Sequence, residues 1–425
     1  MSLIVQKFGG SSVADVDKIR RVARIVADAY DQGDQVVAVV SAMGKTTDGL
    51  VALASQVMEH PCGRDYDALL ATGEMVTTAL LAVTLNAMGY KAVGLNGGQA
   101  GIRTEDLFNR ARIVEIETGE MRRLLDDGVI VIVTGFQGID SAGNITTLGR
   151  GGSDTSAVAL AGALNADRCD IYTDVRGVFS TDPRIVPHAV KQDRMAYVEM
   201  LELARVGAKV LHPRSVETAR KFNVKLFVRS TFDLDDPGTM VLGVDPMELE
   251  RPVAGIACDE NQARLALTGV PDRPGVAADV FGKLAARNVS VDMIIQSLPS
   301  HDGPGGEHTN DIAFTVGVSD LPVASQTLEE VKAQLGARAV LTDPDVAKVS
   351  IVGAGMVDRP GIAADMFKSL AAASINIKMI TTSEIKISCL VAKSDAKRAV
   401  QEIHHIFFPQ SEASAEVLVN QKLGY

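Results

Sequence analysis

Tryptophan is absent from this chain of 425 residues, and aromatic residues make up only 4% of it. A surface that stacks nucleobases needs rings this composition does not supply. Cationic excess is missing too: 42 Lys and Arg stand against 53 Asp and Glu, for a net charge of −11. That balance excludes nucleic acid and anionic membranes as expected partners. The four cysteines (Cys62, Cys169, Cys258, Cys389) are scattered without metal-ligand spacing. We therefore expect no protein-bound metal centre, and reduced thiols of a cytoplasmic protein. No apolar run approaches bilayer length, and the N-terminus lacks the basic-then-apolar pattern of a signal peptide. What remains is an ordinary globular balance, 46% hydrophobic and 22% charged, long enough for two or three domains.

Two organisations divide the chain. Up to about residue 245, apolar strand candidates (36–41, 92–95, 129–136, 169–173, 225–228) alternate with helical stretches (16–29, 68–88, 155–164). The unbroken β-branched run 129–133 reads as a strand buried on both faces. This alternation predicts an α/β fold with an open, mostly parallel sheet covered by helices on both faces, binding ligands beyond the carboxyl ends of its strands. The second organisation is a repeat. Asp272-Arg273-Pro274-Gly275 recurs 86 residues later as Asp358-Arg359-Pro360-Gly361, and Asp279, Phe281, Leu284 and Met293 recur as Asp365, Phe367, Leu370 and Met379. Two copies at this spacing predict paired small β-α-β-β-α-β domains rather than a solenoid. The expected division is 1–245, a turn-rich linker 246–262, and repeats 263–342 and 343–425. The first copy carries extra length in a polar, Gly-rich loop, 299–310.

Several motifs carry chemistry. Lys7-Phe8-Gly9-Gly10-Ser11-Ser12 follows a short apolar strand; paired glycines let amides approach an anion, with Lys7 as the cation, although such a segment also reads as a plain turn. Gly149-Arg150-Gly151-Gly152-Ser153-Asp154 opens a small-residue helix, where free amides, the helix dipole and a bidentate Arg150 suit a carboxylate or phosphate; a merely capped helix is the plainer alternative. The segment 41–47 is not a P-loop, since position 39 is Val, yet it places Ser41 and Thr47 at a strand end. Glu74 lies among Leu69, Leu70, Val76, Leu80 and Leu81, where a carboxylate needs solvent, a partner or a ligand amine. Thr173 and Asp174 end a strand, and the polar run from Phe179 to Arg184 follows. Lys209 sits in a helical stretch before His212-Pro213. In the repeats, Asp272 and Asp358 begin helices, as caps or as partners for a free amino acid.

The ordered set Lys7–Ser12, Val40-Ser41-Ala42-Met43, Thr72-Gly73-Glu74, Gly135-Phe136-Gln137-Gly138, Thr147–Asp154 and Thr181-Asp182-Pro183-Arg184 closely resembles the aspartate kinase family of the amino-acid kinase superfamily, and the repeats look like its ACT domains. The resemblance spans essentially the whole chain. It implies Mg2+-ATP as phosphoryl donor, L-aspartate as acceptor, and 4-phospho-L-aspartate as product, the first step toward lysine, threonine and methionine. By the same resemblance Lys7, Glu74 and Asp154 are catalytic; Ser41, Thr47, Glu74, Arg150 and Ser153 bind the amino acid. Lys7, Phe8, Gly9, Gly10, Thr173, Asp174, Phe179, Ser180, Thr181, Asp182, Pro183, Arg184 and Lys209 line the ATP site. Asp272, Val276, Asp292, Gln296, Val357, Asp358, Asn376, Ile377 and Thr382 contact lysine or threonine as feedback effectors. Asn310 replaces an expected threonine. A homodimer or larger oligomer through the ACT domains is implied, with Met247 a start point for a short in-frame regulatory subunit. The alternatives are another amino-acid kinase and a non-catalytic amino-acid sensor. Intact Lys7, Glu74, Arg150 and Asp154 weigh against the sensor, and the paired repeats against other kinases of the superfamily.

Overall fold

In a computed structural model of the chain, residues 2–243, 251–300, 308–357 and 359–409 are described. They form two units. As far as described, the first comprises Met1–Val178, Lys191–Arg205 and Lys209–Glu248; the second comprises Phe179–Val190, Val206–Ala208 and Leu249–Tyr425.

The first unit runs β1 (Leu3–Phe8), α1 (Val16–Asp31), β2 (Gln35–Val40), α2 (Thr46–Ser55), α3 (Arg64–Ala87), β3 (Ala92–Leu95), β4 (Ile102–Thr104), β5 (Ile113–Ile116), α4 (Gly119–Asp126), β6 (Ile130–Thr134), β7 (Gln137–Ile139), β8 (Ile145–Thr147), α5 (Gly152–Leu164), β9 (Arg168–Thr173), β10 (Arg194–Ala196), α6 (Tyr197–Arg205), α7 (Pro213–Phe222), β11 (Leu226–Ser230) and β12 (Thr239–Leu242). Its main sheet has the order β10-β12-β11-β9-β1-β2-β6-β3. Strands from β11 to β3 are parallel, and β12 pairs antiparallel to β11. Every residue of β6 is buried, as its β-branched run demands. α1 starts where the Asp15 side chain accepts from the Lys18 amide, then buries Ile19, Val22, Ala23 and Val26 against Ile4, Val36 and Ile132. A small sheet, β5-β4-β7-β8, stands beside it. α3 is long and apolar enough to cross a bilayer by length and composition, contrary to the sequence reading, but half of its most apolar stretch is buried in the fold. It is a core helix flanking the site.

The second unit runs β13 (Gly255–Pro271), α8 (Val276–Ala286), β14 (Val291–Gln296), β15 (Thr309–Val316), α9 (Leu321–Leu335), β16 (Ala339–Val352), α10 (Ile362–Ala372), β17 (Met379–Ser383), β18 (Lys386–Ala392) and α11 (Ala396–Phe407). One antiparallel sheet, β14-β15-β13-β16-β18-β17, joins both repeats. Two long strands are shared. The second half of β13 pairs with β15 and with the first half of β16, whereas residues 255–259 pair with the far half of β16, from Val352 back to Lys348. The first repeat is thus inserted into the second, whose fourth strand comes from residues 255–259. That strand lies inside the stretch expected as linker, and its residues Ile256 and Cys258 pack with Val349, Ile351, Met366 and Ile403. Phe179–Val190 also belongs here: Ile185, Val186, Ala189 and Val190 enter the same core. Ser180 donates its amide to Val190, accepts from the Ile256 amide, and shares a 2.9 Å hydrogen bond with His404 Nε2.

Candidate active site

Four strand ends meet in the first unit. β1 runs into Gly9 and Gly10, β2 into Ser41, β6 into Gly135, and β9 into Asp174. Their turns are locked together: the Gly9 amide donates to Tyr172, the Ser41 amide to Phe8, the Gly44 amide to Gly10, and the Gly135 amide to Val40. Glycine is required where backbones crowd. A Cβ on Gly135 would lie 2.8 Å from that of Ser153, and one on Gly151 would fall 2.1 Å from the His212 ring. Gly151 also holds φ +70°, open to glycine without strain.

The result is a cleft of about 660 Å³. Lys7, Ser41, Thr47, Glu74, Arg150, Ser153 and Asp154 all line it. Every candidate catalytic and amino-acid-binding residue named from sequence is therefore in one cavity. Lys7 is buried on β1, its Nζ 2.6 Å from Asp154 Oδ1. Ser153 and Asp154 lie in the first turn of α5, where the helix dipole favours negative charge. Glu74 is only 4% exposed, and its Oε2 has no hydrogen-bond partner. Burial pushes its carboxyl up to about 7, against the pull of the Glu74 and Ala42 amides.

The structure adds residues that sequence reading missed. Tyr66, Asn109, Arg110 and Asp48 also line the cleft. Asp67 lies on α3 and is fully buried. It accepts from the Asn109 amide (2.9 Å), the Thr147 amide (2.7 Å) and the Thr147 hydroxyl (2.9 Å). One carboxylate thus ties together two loops of the cleft wall. Two acids, Asp65 and Asp67, stand at the start of the helix in the sequence, and nothing local tells which of them reaches these amides.

The nucleotide candidates separate into groups. Phe8 ends β1, with Gly9 and Gly10 in the turn after it, and Thr173 ends the neighbouring β9, with Asp174 just beyond. Phe179, Ser180, Thr181, Asp182, Pro183 and Arg184 belong to the second unit. There Ser180 and Thr181 are buried, and Asp182 pairs with Arg184 at 2.7 Å. Lys209 is exposed in a turn between α6 and α7, not in a helix; Gly207, at φ +111°, ends that run. No three His, Cys, Asp or Glu side chains cluster as a metal cage among the described residues. Asp48 and Asp154 line the cleft, and an ion carried on phosphates needs one or two carboxylates at most.

Of the effector candidates, Val276 is buried at the start of α8, while Asp272, Asp292, Gln296, Val357, Asn376 and Thr382 are exposed and Ile377 is half-buried. Asp272 accepts from Asn310 Nδ2 at 3.1 Å, and Asp292 pairs with the buried Lys348. Asp358, Met247 and most of loop 299–310 lie outside the described residues.

Comparison with known proteins agrees with this architecture. The model of the amino acid kinase family matches residues 2–230, and ACT domain models match 265–336 and 349–407. The chain is 49% identical to an aspartokinase of Geobacillus stearothermophilus over 98% of this chain and 99% of that one. It is 48% identical to one of Pseudomonas aeruginosa, over 96% and 98%. Among solved structures, Escherichia coli aspartokinase III in complex with aspartate and ADP is 30% identical, with a TM-score of 0.78 over 96% of this chain and all of that one. The same enzyme with lysine and aspartate gives a TM-score of 0.73 at 30% identity, over 96% and 99%. The chain belongs to the aspartokinases, the carboxyl-accepting phosphotransferases of the amino acid kinase family that carry paired ACT domains.

Proposed function

We propose that the first unit transfers the γ-phosphoryl group of ATP to the β-carboxylate of L-aspartate, giving 4-phospho-L-aspartate and ADP. The observation that carries this is Glu74: a buried carboxylate with one unpartnered oxygen, in a cleft that Lys7, Arg150 and the start of α5 also line, with Asp48 and Asp154. Such a pocket complements an amino acid carrying one ammonium and two carboxylates. Glu74 takes the ammonium, helped by Ser41 and Thr47, and Arg150 with Ser153 takes the α-carboxylate. The free β-carboxylate oxygen attacks phosphorus in line. The new C–O–P bond forms as the bond to the ADP oxygen breaks, and no enzyme nucleophile is needed. Lys7 neutralises charge on the transferring group, Asp154 holds Lys7 in place, and Gly9 and Gly10 let amides approach the phosphates. Mg2+ bound to the nucleotide would shield the phosphates, with Asp154 or Asp174 as its protein carboxylate. In the relative bound to aspartate and ADP, both compounds are named ligands, which supports the pairing. The second unit is proposed to sense lysine, threonine or both, as the lysine complex of that relative suggests. We propose ACT-mediated self-association as the assembly.

The test is hydroxamate capture of the acyl phosphate with aspartate and, separately, glutamate. Product from aspartate that falls about a thousandfold in Lys7→Ala supports the reading. Preference for glutamate, or equal signal from the variant, overturns it.

A further inference from the structure

A second cavity of about 660 Å³ lies in the first unit, between strand β5 and helices α5 and α7. Its walls are apolar: Ile113 and Ile116 from β5, Leu148, and Ala159 and Ala163 from α5, with Phe222 of α7. The helices come close there, since a Cβ on Gly162 would lie 2.7 Å from the Phe222 ring. Charge around the apolar surface is lopsided. Arg112, Arg214 and Lys221 contribute cations, against Glu115 and Glu217. Glu217 is already held by Arg205 at 2.5 Å, and neither Arg112 nor Lys221 has a carboxylate within ion-pair distance among the described residues. An apolar pocket with a few converging cations suits one ligand class: an amphipathic monocarboxylate, its chain on the alanines and its head on the guanidinium groups.

This cavity backs onto the active cleft. Leu148 and Thr155, which line it, bracket the loop whose Gly149, Arg150, Gly151, Gly152, Ser153 and Asp154 line the catalytic side. Arg214 bridges the two: its Nη1 donates to the Leu148 carbonyl at 2.8 Å, and the preceding His212 caps α7 and packs on Gly151. A carboxylate beside Arg214 competes with that carbonyl for the same donors. We propose that this pocket is a binding site for an amphipathic carboxylate, and that occupancy weakens amino-acid binding by releasing the loop that carries Arg150 and Ser153.

The test uses the full chain with octanoate as probe and octanamide as its neutral control. Calorimetry reads binding and does not depend on the proposed reaction; the kinetic arm rests on it. Octanoate should bind saturably and raise the aspartate KM about threefold with kcat nearly unchanged, while octanamide does neither. Ala163→Trp fills the pocket away from the loop and should abolish both effects with basal kinetics intact. Lys221→Glu, on the rim, should weaken octanoate about tenfold. Absence of saturable binding, octanamide as effective as octanoate, or an undiminished response in both variants overturns the proposal. Calorimetric binding without a KM change retains the pocket and overturns the coupling.

Discussion

At the scale of single residues, the role proposed for Glu74 ties function to stability. Its folded carboxyl titrates near 7, above the ordinary 4.5. The folded state therefore holds this proton more tightly. The associated stability is complete below pH 4.5 and is lost as the pH rises through 7, by about 3 kcal/mol. An ammonium ligand needs the ionised form, so the aspartate KM should rise about tenfold per unit as pH falls below 7. Glu74→Gln should remove that pH dependence, lose most activity, and melt higher than wild type at pH 8 but not at pH 5. A variant melting lower at pH 8 would contradict the burial argument. Asp67 makes the complementary case. Asp67→Ala removes the one group that accepts from the Asn109 amide, the Thr147 amide and the Thr147 hydroxyl. Steady-state kinetics should show kcat/KM reduced about a hundredfold, with Lys7 and Glu74 untouched. That Lys7 and Arg150, each beside glycines, would line one cleft was legible in the sequence because the backbone's needs mark such positions. Asp67 was not, because its partners are main-chain amides of loops 42 and 80 positions away, which no local pattern announces.

At the scale of elements, periodicity located the strands and helices well where one force dominates. Of the β-branched run 129–133, Ile130 to Val133 lie in the fully buried β6, while Val129 stays half-buried before it. Asp15 capped α1 as an acid before an amphipathic stretch does. The failures occurred where glycine geometry or pairing at a distance decides. The Lys209 stretch looked helical, yet Gly207 turns the chain. Residues 255–259 looked like a connector because their partner strand lies about ninety positions on. Gly151 shows how tightly the catalytic loop is specified. Gly151→Ala adds a methyl against the His212 ring at a backbone angle unfavourable for alanine. It should lower stability by about 2 kcal/mol in denaturant melts and reduce kcat/KM, while Gly143→Ala, also at positive φ but with open space, should lower stability alone.

At the scale of the whole molecule, the strand–helix alternation and the 86-residue repeat announced an α/β unit and paired small domains, but not the way the repeats interlock. A piece beginning at residue 263 loses the strand that completes the second repeat, and it should aggregate or melt far below one beginning at 249; equal melting of the two would refute the shared-strand account. The allotment of Phe179–Val190 goes further. These residues are encoded between two strands of the first unit's sheet, yet their side chains complete the interior of the second unit. A polypeptide that began at Met247 would lack Ile185 and Val186, and the core they enter would be left short of side chains that fill it in the full chain.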